Sequence, residues 1–441
     1  MSKIIVAATP VTGHTHPLLR IATHLAEQGH EVAFLGGARY RAAAEECGLA
    51  FAPLPAEADY DDRDFAASFP ERAAVPAGPA QLLWDVMHVF GDPLPAQHRA
   101  LRALLAEFPA VAVLHDSLFL GAVALAMAHP RAERPAVLAV GISPLALVSK
   151  DTAPPLLGLL PPVDEQQRAE YAALGRESAR RMRPAMEYVN ARFAETGLQV
   201  PEGTHLFGRV ESVDALLQLT VPAFEYPRSD LPANVAFVGP LPIPAAPGGL
   251  RPDWWPRLAE AREAGRRVVV VTQGTIANAD PQALLAPAVR ALADRQDLLV
   301  IVATGRVDGP DLLRGALPAV PANTVLAGFV PFDALLPHAD ALVTNGGYGG
   351  VQAALGHAVP VVVAGDSEDK PEVAARVEWT GTGVNLRTGR PTERQLATAV
   401  DTVLTDPELR DRAAALAKEF AGYDALRRIT ELLPRVAAPR R

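Results

Sequence analysis

Apolar positions in this chain fall into two kinds of segment. Some runs are apolar throughout, and others place apolar residues every three or four positions. Residues 3–9, 31–35, 111–115 and 136–142 are of the first kind and predict strands. Residues 16–28 put Leu18, Ile21, Ala22, Leu25 and Ala26 on one helical face, with Gly29 as a stop. Residues 40–46, 101–107 and 118–128 predict further helices, the last of them buried. The pattern restarts at 267–272, where four valines precede Gln273-Gly274-Thr275. A helix at 281–295 follows, then strands at 298–303, 324–329, 342–344 and 359–364, and closing helices at 408–421 and 424–433. Strands that are apolar on both faces and joined by helices predict parallel sheets covered on both sides. Two such blocks give an α/β protein with two Rossmann-like domains.

The stretch PLPIPAAPGGLRPDWWP at 240–256 is rich in proline and glycine and reads as a linker. It sets an N-terminal domain at 1–239, a C-terminal domain at 257–421 and a terminal helical segment at 422–441. Two segments interrupt the alternation: 78–90, which holds Trp84, Met87, His88 and Phe90, and 151–195, which is charged and reads as helical. Insertions at strand ends often carry specificity, so the four side chains of the first are candidates for contacting a small apolar ligand.

Composition narrows the function. Among 441 residues the net charge is -9, which argues against nucleic acid, because a phosphate backbone needs a basic face. A small anionic ligand needs only a local field and stays open. The single cysteine, Cys47, leaves no intramolecular disulfide and no cysteine-based metal site. The apolar start is too short for a signal peptide, and the apolar runs are too short for a bilayer span or broken by Pro144. A cytoplasmic protein without membrane insertion is expected. Neither HExxH nor a DxD pair suited to a metal–diphosphate complex occurs, so no metal and no resident cofactor are expected.

Two loops carry the candidate chemistry. After the strand-like run at 342–344 come Asn345, Gly346, Gly347, Gly349 and Gly350, and then a helix starting near Val351. Glycines let backbone N–H groups approach an anion, and a helix N-terminus favours negative charge. An acidic loop with Asp366, Glu368, Asp369 and Lys370 follows the next strand. The other loop, PVTGHTHP at 10–17, follows the first strand and opens a helix without a GxGxxG fingerprint. His14 there is placed to act as a base. A single loop histidine is more often structural. Asp116 alone could be a helix cap. His16 is a weaker rival base, and strand alternation turns His115 away from Asp116.

Together these loops resemble the signatures of family 1 glycosyltransferases, and in particular bacterial natural-product, macrolide-type members. That family has the GT-B fold, two Rossmann-like domains facing a cleft, and transfers sugars from nucleoside diphosphates. The resemblance implies an inverting, metal-independent hexosyl transfer from a UDP- or dTDP-sugar to a hydroxyl of a small apolar natural product. It implies that His14, in Gly13-His14-x-x-Pro17, deprotonates the acceptor with Asp116 as its carboxylate partner. It places Gly274 and Thr275 at the diphosphate, Phe329 or Val330 at the nucleobase, and the 345–350 cluster with Asp369 and Lys370 at the diphosphate and sugar. Four positions depart from the family pattern: Phe332 and Lys370 stand where Gln is usual, Asn345 for His, and Ala353 for the ribose-binding Glu. These departures keep two rivals open, a nucleotide-sugar epimerase and a non-catalytic auxiliary protein on the same fold. The oligomeric state is not legible.

Overall fold

The computed structural model describes residues 1–76, 78–200, 211–243, 251–274, 278 and 280–438. Strands β1 Lys3–Ala7, β2 Glu31–Gly36, β3 Ala50–Pro53, β4 Ala112–Asp116, β5 Ala136–Gly141, β6 Ala215–Gln218 and β7 Val235–Phe237 form one sheet. Its order is β3-β2-β1-β4-β5-β6-β7. Strands β8 Arg267–Thr272, β9 Leu298–Ala303, β10 Thr324–Ala327, β11 Ala341–Thr344, β12 Val361–Val363 and β13 Gly383–Asn385 form the other, in order β10-β9-β8-β11-β12-β13. Neighbouring strands pair in parallel throughout both sheets. Each order reverses once, between β1 and β4 in the first sheet and between β8 and β11 in the second. Ligands of doubly wound sheets bind at such a reversal, beyond the carboxyl ends of the strands. The loops bearing His14, Asp116, Gly274 and Asn345 are the four loops at these two points.

Both faces of each sheet are buried. Alternate residues of β1, such as Ile4 and Val6 against Ile5 and Ala7, belong to separate cores on the two sides. The second sheet divides the same way, with Val268 and Val270 on one side and Val269 and Val271 on the other. The segment after β6 leaves its own sheet, and Val221 and Phe224 pack in the core beside Val268 and Val270. The helix Ala425–Ala437 runs the opposite way, burying Ala425, Ile429 and Leu433 in the core of the first sheet. His24 Nε2 meets Thr430 Oγ1 at 3.1 Å, and Arg131 donates to the carbonyls of Val436 and Ala437.

Several boundaries differ from the sequence reading. The first helix spans Thr12–Glu27, one turn earlier than the expected 16–28, with Pro17 inside it. Pro17 removes one helical bond, and contacts outside the helix hold the turn before it. The Thr12 N–H donates to Asp62 Oδ2 at 2.7 Å, and the Thr15 hydroxyl donates to the Thr9 carbonyl at 2.9 Å. The helix expected over 151–195 starts only at Glu165 and runs to Ala194, behind an Asp164 cap. Pro154, Pro155, Pro161 and Pro162 keep the preceding stretch extended or turned. The helix expected at 281–295 shrinks to Leu285–Ala291. Strands β3, β6, β7 and β13 were not foreseen. Residues 244–250 of the expected linker lie outside the described residues. No described helix is long and apolar enough to cross a membrane.

Candidate active site

Because the helix starts early, His14 sits on its first turn, directly beyond β1. Asp116 is the last residue of β4, β1's neighbour across the reversal. That register brings His14 Nδ1 to 2.8 Å from Asp116 Oδ1. The carboxylate is fully buried and takes three more hydrogen bonds. Thr9 donates from its backbone N–H at 2.6 Å and its hydroxyl at 3.2 Å, and the Leu118 N–H donates at 3.0 Å. Burial alone would push this carboxyl up. The charge and hydrogen bond of His14, with the Thr9 and Leu118 N–H groups, more than offset burial and hold it below the ordinary carboxylate value. An ionised Asp116 fixes the proton of His14 on Nδ1 and leaves Nε2 open as an acceptor. The imidazole keeps 16% of its surface exposed, so Nε2 can be reached.

The sign of this shift gives a test. A depressed folded-state value contributes stability that is present above the unfolded carboxylate value, near 4, and is lost as pH falls through the folded value. Asp116→Asn should therefore flatten the acid limb of a stability-against-pH curve. An unchanged acid limb would show that Asp116 does not carry it.

Of the four candidate acceptor side chains, Phe90 reaches the dyad, its ring stacked on His14 with centroids 6.0 Å apart. It lies on a π-type turn, Val86–Gly91, that continues the helix Pro79–Asp85. Such turns re-aim side chains and recur at functional sites. Trp84 and His88 belong to an aromatic row running from Phe69 through Trp84 and His88 to Tyr188. His88 Nδ1 is also tied to Asp92 at 2.8 Å. Met87 packs against the small core around Val86 and Leu94. His16 meets Tyr40 edge-on, apart from the dyad. Sequence reading missed Tyr60, whose buried hydroxyl has no hydrogen-bond partner and feels the charge of Asp116. Nothing local in the sequence separated this tyrosine from a core residue.

Across the cleft, the helix after the glycine cluster spans Tyr348–Gly356, with Gly347 as a cap that offers no side chain. A Cβ added at Gly347, Gly349 or Gly350 would meet nothing within 4 Å, so open space lies beside these residues. Gly346 needs its glycine for another reason, a φ of +95°. Tyr348 is buried, and its hydroxyl receives a 3.3 Å bond from Gln218 at the end of β6. Asn345 donates from its amide to the Gln273 carbonyl at 2.6 Å, tying β11's loop to that of β8, while its Oδ1 is buried without a partner. Gly274 takes a φ of +73° and lies under Asn345. Thr275 lies outside the described residues. Phe329 is beyond β10 with its ring 60% exposed, whereas Val330 packs against the core. Ala353 also faces that core.

The acidic loop is divided in its duties. Asp366 accepts the Gly389 N–H at 3.0 Å, and Glu368, at a φ of +57°, pairs with Lys370. Asp369 pairs with neither. Burial pushes its carboxyl up against the opposing charge of Lys370, and the charge of His14 is also felt there.

The region 296–433 matches the family model described as erythromycin biosynthesis protein CIII-like, C-terminal domain. UDP-glycosyltransferase 2 of Phaeomoniella chlamydospora is 37% identical, over 99% of this chain and 96% of its own. The 4'-demethylrebeccamycin synthase of Lentzea aerocolonigenes is 38% identical, over 96% of this chain and 97% of its own. The crystal structure of the glycosyltransferase of kitacinnamycin superposes with a TM-score of 0.73, at 23% identity over 99% of this chain and 98% of that one.

Proposed function

This chain belongs to the nucleotide-sugar-dependent glycosyltransferases of the GT-B fold that act on natural products, and from that premise we propose an inverting transfer from a UDP-sugar in which His14 is the base. The observation that carries this reading is the His14–Asp116 dyad, closed at 2.8 Å beyond the carboxyl ends of β1 and β4. An acceptor hydroxyl enters beside Phe90 and gives its proton to His14 Nε2 as its oxygen attacks the anomeric carbon. Asp116 stabilises the imidazolium that forms. Attack opposite the leaving group inverts the anomeric centre. The departing UDP takes up negative charge, which meets the N–H groups of the Tyr348–Gly356 helix and its glycines. Asp369 holds a sugar hydroxyl, and the exposed ring of Phe329 covers the uracil. In place of a ribose carboxylate, Ala353 leaves the ribose to backbone groups.

Both halves of this reading are testable. In a thermal-shift panel of UDP, dTDP, GDP and ADP, UDP at 100 times its Kd should add about 2.7 kcal/mol of stability. No response to any nucleotide would favour the auxiliary-protein alternative. With an acceptor in hand, the anomeric coupling of the product should show inversion, and a retained configuration would rule out single displacement. Because helix and backbone N–H groups supply the positive potential, dialysis against EDTA should leave the rate unchanged. A loss restored by magnesium or manganese would contradict that account.

Asp369 adds a prediction with the opposite sign to Asp116. Its raised value means that the charged form costs folding stability at neutral pH, and that this cost is relieved as pH falls through its folded value. Asp369→Asn should raise the melting temperature at pH 7 while lowering kcat/KM. A variant that is both less stable and fully active would refute its place at the sugar.

A further inference from the structure

The turn that carries His14 has little of its own to hold it. It opens the helix Thr12–Glu27 behind Val11, which caps it with no side chain, and it holds no acidic residue. Pro17 has no N–H to return to the Gly13 carbonyl. Gly13, between Thr12 and His14, is the residue least able to fix a direction by itself. His14 and Thr15 return their N–H groups to the Val11 carbonyl, at 3.0 and 2.8 Å, so the turn moves as one piece. An anchor comes from a distant segment. The Thr12 N–H donates to Asp62 Oδ2 at 2.7 Å, across fifty positions of sequence. The Asp62 side chain is 3% exposed, and its other oxygen lies 2.6 Å from a guanidinium nitrogen of Arg39. Arg39 gives its second terminal nitrogen to the Thr12 hydroxyl at 2.6 Å, and its guanidinium lies over the Tyr40 ring. Thr12, Asp62 and Arg39 thus close a ring around the first residue of the helix, two positions before the imidazole.

We propose that Asp62 is a positioning residue for the base: through the Thr12 N–H it fixes the turn on which His14 stands. It acts through the backbone and not on the reacting atoms. A carboxylate suits this task, because a charged acceptor makes a stronger bond than a neutral one and negative charge is favoured at a helix N-terminus. The base has two demands to meet at once. Nδ1 must stay at 2.8 Å from Asp116 while Nε2 comes within about 2.6–3.2 Å of the acceptor hydroxyl. Both are met only if the backbone of the turn is fixed, and a misplacement of about 1 Å can cost about a hundredfold in rate. Without Asp62 the turn pivots at Gly13, and the imidazole holds Asp116 for only part of the time. The anchor is itself rooted among aromatic rings. Tyr60 packs on Phe65 and Phe69, and Phe69 meets Trp84 at the head of the row that includes His88. The segment that aims the base is therefore continuous with the candidate acceptor side chains.

The proposal rests on the reading of His14 as the base, and two readouts separate their failures. Asp62→Ala should lower kcat by about ten- to a hundredfold with UDP affinity and the KM of the acceptor unchanged. Asp62→Asn keeps an oxygen for the Thr12 N–H without the charge and should lose only about threefold. Arg63→Ala, on the same segment but paired with Asp61 at the surface, should keep the wild-type rate. The second readout needs no turnover. In protein labelled with nitrogen-15 in histidine, the His14 resonances, identified by their loss in His14→Ala, should shift and broaden in Asp62→Ala. A wild-type kcat in Asp62→Ala, a loss expressed in the acceptor KM alone, an equal loss in Asp62→Asn or Arg63→Ala, or unmoved His14 resonances would each overturn the proposal. If Asp62→Ala no longer binds UDP because it fails to fold, Asp62→Asn decides, and a wild-type kcat with unmoved His14 resonances there would overturn it. His14 resonances that move in Asp62→Ala, beside a His14→Ala variant that transfers at the wild-type rate, would sustain the positioning and overturn the base.

Discussion

Replacing His14 by alanine should lower sugar transfer by about two to four orders of magnitude while leaving UDP affinity unchanged. The argument begins with geometry. One imidazole nitrogen is held by a buried carboxylate at 2.8 Å, and the ring keeps 16% of its surface exposed. In the proposed transfer Nε2 receives the acceptor's proton, and the ring becomes a cation as it arrives. Asp116 stays ionised and needs no reorganisation as that cation forms. Without the imidazole the acceptor hydroxyl must attack while still protonated. On the proposed reading UDP is held by the other sheet and has no contact to lose, so the loss should fall on kcat and not on donor binding. Steady-state rates with isothermal titration of UDP would separate the two. Transfer at the wild-type rate in His14→Ala would remove the histidine from the mechanism. Loss of UDP binding in the same variant would mean that His14 acts on the donor.

Removal of the Glu225 carboxylate should destabilise the protein by about 3–5 kcal/mol. Arg376, on the helix Lys370–Thr380, is 1% exposed and lies between two carboxylates. Glu225 meets one guanidinium nitrogen at 2.8 Å and Glu372 meets another at 2.8 Å. Arg228 is also buried, 3.5 Å from Glu225. Two cations and two anions balance, and Glu225→Ala leaves an uncompensated positive charge in a dry place. Glu225 also receives the Leu145 N–H at 2.9 Å, so it fixes the loop that roofs a cavity beside His115. Glu225→Gln keeps that hydrogen bond without the charge and should cost less than Glu225→Ala. Replacing Arg376 and Glu225 together by methionine and leucine should cost less than the sum of the two single changes, because the network then loses one cation and one anion together and keeps its balance. Denaturation of these five variants tests this, and strictly additive losses would show that the pair is not coupled.

The network explains part of what the sequence concealed. Apolar runs and glycine stops were enough to show two parallel sheets, because a strand buried on both faces leaves a plain record. That His14 and Asp116 would meet was implied by the family resemblance, and each directly follows or ends a strong strand. Strands β3, β6, β7 and β13 were not, since three or four residues at a sheet margin or under a long loop give too short a pattern. The early start of the helix at Thr12 depends on Asp62, fifty residues away, and no local rule reports such a cap. Tyr60, His115, Gln218 and Arg376 have the same character. Each is an ordinary residue until folding decides which of its atoms lack a partner or find one across the cleft. Asn345 shows the reverse case, a residue singled out by position whose amide is engaged with Gln273.

The return of the helix Ala425–Ala437 to the first core has a consequence for synthesis. Translation delivers the strands of that sheet long before the helix that completes it. At about 5–20 residues per second, the roughly two hundred residues between β6 and Ala425 take on the order of 10–40 s. During that interval the groove that Ile429 and Leu433 will fill faces water on a nascent chain. The first half of the protein therefore leaves the ribosome as a chaperone client with an open apolar flank. A mutation that slows emergence of the last helix would lower the yield of folded protein without touching the active site.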